Sequence, residues 1–98
     1  MLKLYHEIIK EFKPIGDKEK IIVFGSLIKG SYRLDSDIDV AIITNEKNVM
    51  EEAEKIADKI LSKYGKVVSL KFFTNEELKS GKHFIKEVLN GKVVYNGG

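Results

Sequence analysis

The chain contains no cysteine and only one proline among its 98 residues. Without cysteine, neither disulfides nor thiolate metal sites contribute, which suits a reducing compartment such as the cytoplasm. Nor is there an excess of one charge. The 17 Lys and Arg stand against 15 Asp and Glu, a net charge of +2, so nucleic acid is not a favoured partner on electrostatic grounds. No apolar run approaches the ~20 residues that cross a bilayer, and the N-terminus lacks the apolar core of a signal peptide. What remains is expected to be one soluble domain over residues 1–98, large enough for a single modest core and too short for two.

Hydrophobic periodicity gives the elements. Tyr5, Ile8, Ile9 and Phe12 recur at helical spacing, with Pro14-Ile15-Gly16-Asp17 expected to end that helix. His6 lies on its charged flank and reads as solvated. Strands are expected at 20–24, 36–44 and 66–73, with a short helix opening near Ser26. Between the second and third strands, Val49, Ala53, Ile56, Ala57, Ile60, Leu61 and Tyr64 form one apolar stripe, opened by Asn48 and Glu51 at capping-box spacing and stopped by Gly65. A helix of that length suits a crossover to a parallel neighbour rather than a hairpin. Thr74 and Glu77 make a second capping box. The helical stretch that follows breaks near Ser80-Gly81, resumes through Phe84, Ile85, Val88 and Leu89, stops at Asn90-Gly91, and leads to a short terminal strand at 92–95. The fold class is therefore α/β (α+β), a small mixed sheet flanked by helices.

Chemistry concentrates between Phe24 and Asp39. Strand one runs into Gly25, which permits a close turn, and Ser26, whose hydroxyl and N–H can hold an anion. Ten residues later come Asp37 and Asp39. At i and i+2 on a strand, their carboxylates share a face. Such a pair repels itself unless a cation neutralises it, and oxygen-only ligands favour magnesium or manganese. Metal on one side and a phosphate cradle on the other describe a nucleoside triphosphate site. Asp35, Ser31 and Ser36 read as turn residues.

Two other motifs use the same residues and fail. Gly25 to Ser31 has the spacing of a phosphate-binding P-loop, but that motif needs Lys and then Ser or Thr after its second glycine, where Ser31-Tyr32 follow Gly30. Asp35, Asp37, Asp39 and Glu46 fall at EF-hand positions one, three, five and twelve. The sixth position, which needs glycine, is Val40 in an apolar run.

Gly25-Ser26, ten residues and Asp37-x-Asp39 resemble the signature of the DNA polymerase β-like nucleotidyltransferase superfamily, and most closely its minimal nucleotidyltransferases. Members of that family act as antitoxins paired with small helical HEPN proteins. The resemblance implies a polymerase β-like fold, with Gly25 and Ser26 contacting triphosphate, Gly30 permitting the turn, and Asp37 and Asp39 as catalytic residues holding magnesium. It implies ATP as substrate and AMP transfer to a hydroxyl, such as a tyrosine of a HEPN toxin.

The chain departs from that pattern at one place. Many members carry a third carboxylate on the neighbouring strand, and here the counterpart is Ser69, with Lys71 on the same face. Serine can ligate weakly or orient water but lacks the charge and basicity of aspartate. Two functions follow: a nucleotidyltransferase, or a non-catalytic antitoxin or adaptor that acts by binding its partner. Lys71 reads as a solvated strand residue, with phosphate contact as the alternative.

Overall fold

The computed structural model describes residues 3–25 and 37–97. Helix α1 (Lys3–Lys10) buries Tyr5, Ile8 and Ile9, and a separate turn, α2 (Lys13–Gly16), follows it. Pro14 therefore does not end the first helix as expected. It stands in the first turn of α2, where its missing N–H has no helical partner to lose.

Strand β1 (Lys20–Phe24) pairs antiparallel with β2 (Ile38–Ile43), and β2 pairs in parallel with β3 (Val68–Phe73). The crossover is α3 (Lys47–Tyr64), closed by Gly65 in the left-handed conformation at φ +68°. A short α4 (Asn75–Leu78), then α5 (His83–Leu89), lead to β4 (Lys92–Asn96), which pairs antiparallel with the free edge of β1. Among the described residues the sheet order is β3-β2-β1-β4. The parallel partner expected from the long crossover is present, and so is the terminal strand.

Alternation along the strands divides the core. Ile21, Val23, Ile38, Val40, Ile42 and Val68 face α1, α2 and α3, meeting Phe12, Ile15, Val49, Ala53 and Ile60. Ile22, Phe24, Ala41, Ile43 and Phe73 face the other way, against Ile85 and Val88 of α5. Each buried Ile or Val contributes roughly 1.5–3 kcal/mol of apolar transfer, and among the described side chains of α5 it is Ile85 and Val88 that supply it, beside a close approach to β1. At Gly91 a Cβ would come within 2.8 Å of both Ile22 Cγ2 and Phe24 Cβ.

Two further expectations are refined and a third is met. Helix α3 starts at Lys47, with Glu46 as its N-cap and no side-chain cap. The Asn48–Glu51 capping box does not form, because the Thr44 hydroxyl accepts the Glu46 N–H at 3.0 Å and turns the chain one step earlier. Leu61 is 49% exposed, since it lies beyond the arc of α3 that the sheet covers. The Thr74–Glu77 box does form, with the Glu77 N–H donating to Thr74 Oγ1 at 3.1 Å and the Thr74 N–H to Glu77 Oε1 at 3.0 Å.

Candidate active site

The sheet delivers the Asp-x-Asp pair to the end of β2 where β1 stops. Asp39 lies opposite Phe24 on one side and Ser69 on the other. It therefore belongs to the face covered by α5, together with Ser69 and Lys71. Asp37 stands immediately before β2 and is exposed, whereas Asp39 is half-buried. The Ile38 N–H donates to Val67 O at 2.9 Å, so the pairing with the β3 side continues up to the acidic pair.

Gly25 is fitted to Asp39. Its φ is +79°, a left-handed conformation that side chains disfavour. A Cβ there would overlap Asp39 Oδ2 outright and lie 3.1 Å from Asp39 Cγ. The glycine thus turns the chain after β1 and leaves room for the carboxylate beside it. Ser26 and Gly30, the other expected phosphate contacts, lie outside the described residues, as do the helix expected near Ser26 and the loop to Ser36.

Burial pushes the Asp39 carboxyl above the ordinary aspartate value. The negative charges of Glu87 and Asp37 push the same way, and Lys71 pulls back. The expected convergence of Asp37 on Asp39 is therefore felt electrostatically. Glu87 is an addition that the sequence does not announce: it precedes Val88, and the docking of α5 on Phe24 and Ala41 carries its charge to the site. Nothing in the local sequence marks it, because α5 reads simply as an amphipathic packing helix. Ser69 occupies the predicted position beside Asp39, without a carboxylate.

A half-buried carboxylate whose ionised form is disfavoured, as at Asp39, suits a divalent cation, and magnesium needs few protein ligands because it keeps several waters. Among the described residues no group of three or more His, Cys, Asp or Glu could hold a metal ion. Water and phosphate oxygens would have to complete the shell. A cavity of about 440 Å³ lies at the far end of the sheet, lined by Lys20, Ile43, Thr44, Asn45, Asn75 and Asn96 among others. It is four residues along β2 from Asp39, roughly 13 Å at strand rise, and separate from the acidic site.

Comparison with known proteins bears on the family and the fold. A family model described as Polymerase beta, Nucleotidyltransferase matches residues 6–97. Two relatives from Methanocaldococcus jannaschii are each named "Putative protein adenylyltransferase". One is 44% identical over 64 residues, covering 59% of this chain and 64% of its own length, so the chain spans less than two thirds of that relative. The other is 36% identical over 97 residues, covering 89% of this chain and 94% of its own length. A crystal structure of a toxin–antitoxin with AMP-PNP shares the fold, with a TM-score of 0.58 and 24% identity over 93% of this chain and 72% of that one. Among the described residues no helix is long and apolar enough to cross a membrane. The four-stranded mixed sheet, the parallel crossover and the match across residues 6–97 lead to one assignment: this chain belongs to the polymerase β nucleotidyltransferase family.

Proposed function

We propose that the chain is a magnesium-dependent nucleotidyltransferase that moves AMP from ATP to a hydroxyl of a partner protein, acting as the antitoxin of a pair with a small helical HEPN-type toxin. The observation that carries the reading is the seating of Asp39 against Gly25, with the Asp37 charge adjacent and the family's Gly-Ser, ten-residue, Asp-x-Asp spacing intact. The relatives' name and the toxin–antitoxin neighbour support the choice of a protein acceptor.

In this reading Gly25, Ser26 and Gly30 cradle the triphosphate, and Asp37 and Asp39 hold magnesium, with manganese as a substitute. The bound cation supplies neutralisation of the phosphate oxygens. The acceptor oxygen attacks the α-phosphorus in line, the bond from that phosphorus to the bridging oxygen breaks, and pyrophosphate leaves. The acceptor's proton passes to solvent, because Ser69 lacks the basicity to take it. Positioning carries most of such a reaction, so a missing base slows it, by roughly 10²–10⁴-fold, without abolishing it.

Calorimetric titration of ATP with and without magnesium, followed by transfer from α-labelled ATP to a co-purified partner, tests the proposal. Binding and labelling that require magnesium and disappear in Asp37→Asn and Asp39→Asn are expected. Full transfer in Asp37→Asn would overturn the assignment of the two aspartates as metal ligands. The serine opposite Asp39 favours a second reading, a non-catalytic subunit that covers its partner. That reading expects a stable complex in both Asn variants and no labelling in the wild type.

A further inference from the structure

Lys71 stands two residues past Ser69 on β3. The register Asp39↔Ser69 and Ala41↔Lys71 places it on the same face as Asp39, diagonally across from it. Diagonal neighbours in a sheet lie roughly 7–8 Å apart at the backbone, within reach of a long side chain. Because β3 is an edge strand and Lys71 is exposed, the ammonium is hydrated and able to swing over the acidic end of β2.

The charges described around Asp39 are those of Glu87, Asp37 and Lys71, and Lys71 is the one cation among them. A polyphosphate placed beside Asp37 and Asp39 is favoured by positive charge in addition to that of the metal. The need grows as the bond to the α-phosphorus breaks and charge collects on the departing pyrophosphate. A compact, mobile ammonium suits that task, because it binds phosphate oxygens as a point charge and follows the leaving group. The register places this lysine on the Asp39 face of the sheet, beside the carboxylate that an approaching phosphate would meet.

We propose that Lys71 is a catalytic residue that contacts the β- and γ-phosphates of the bound triphosphate and neutralises pyrophosphate as it leaves. The proposal rests on the nucleotidyltransferase reading and deepens it, since it assigns the leaving-group side of the site to β3.

The test measures magnesium-ATP and AMP binding by calorimetry, and pyrophosphate release with partner present, for wild type, Lys71→Ala, Lys71→Arg and Asp39→Asn. Lys71→Ala is expected to lower ATP affinity or the release rate by about tenfold or more, with AMP affinity and melting temperature unchanged, because AMP lacks the phosphates that the ammonium meets. Lys71→Arg is expected to recover part of the loss. Wild-type behaviour of Lys71→Ala beside an inactive Asp39→Asn overturns this proposal alone. Equal losses for ATP and AMP, or a lower melting temperature, assign Lys71 a structural role and also overturn it. A wild type that binds no triphosphate with any divalent ion overturns both readings together.

Discussion

Replacing Gly25 with alanine separates backbone strain from displacement of the carboxylate, because the chain contains its own control. Gly25 and Gly65 both have left-handed φ, +79° and +68°. A Cβ at Gly65 meets nothing within 4 Å, whereas a Cβ at Gly25 overlaps Asp39 Oδ2. Left-handed alanine costs about 1 kcal/mol at either position. For a domain of this size that lowers the melting temperature by about 4–8 °C. Gly65→Ala should show this loss and nothing else. Gly25→Ala carries the same strain, but Asp39 must also retreat by more than about 1 Å to reach ordinary contact, and a misplacement of that order near a reacting centre costs roughly 10²-fold in rate. Thermal melts and labelled-ATP transfer on both variants read the two effects separately. If Gly25→Ala transfers at the wild-type rate, the fit between this glycine and Asp39 is not what positions the carboxylate.

Asp39→Asn should melt higher than wild type at pH 7. The native state disfavours the ionised carboxyl through burial and the nearby Glu87 and Asp37 charges, so the group's stability contribution is full below the unfolded aspartate value and lost as pH rises through the raised native one. Melts across pH 3 to 8 check this, and the gain should vanish at the acid end. Glu11→Gln has the opposite sign. Glu11 accepts from Tyr64 Oη at 3.0 Å and pairs with Lys59 and Lys63, and the Lys59 contact chiefly lowers its pKa. The wild-type advantage is present above the unfolded glutamate value and lost as pH falls through the lowered native one, so the two proteins should converge in acid. Thr74→Ala removes the capping box of α4 and should cost about 1 kcal/mol by urea unfolding. An unchanged midpoint would mean that the box contributes nothing to α4.

Local chemistry is readable wherever it is punctuated. Strand β1 ends where its apolar run does, Gly65 closes α3, and Gly81 at φ +72° separates α4 from α5. The parallel pairing of β2 with β3, which sets Asp39 opposite Ser69, is the one that the long α3 crossover leads to. Contacts between distant segments are not readable. Asn48–Glu51 has the spacing of a cap but loses to the Thr44 turn, and spacing cannot rank two competing starts. Leu61 belongs to the apolar stripe by period, and only the finite width of a four-stranded sheet leaves it exposed. Glu87 reaches the site because Ile85 and Val88 dock on Phe24 and Ala41, a pairing across more than forty positions that no window along the chain contains.

The sheet is completed by its last strand in chain order. Strand β4 joins the outer edge of β1, matching Lys92 to Val23 and Asn96 to Lys20, about 70 residues after that edge is made. At a synthesis rate of roughly 5–20 residues per second, the edge waits about 4–14 s for its partner. Through that interval Ile21, Ile22 and Val23 form a β-branched strand with unpaired amides, the kind of edge that pairs with whatever strand arrives first. Closure of that edge thus waits on the arrival of residues 92–96. A nascent chain halted before them exposes a sticky strand beside an otherwise formed acidic site.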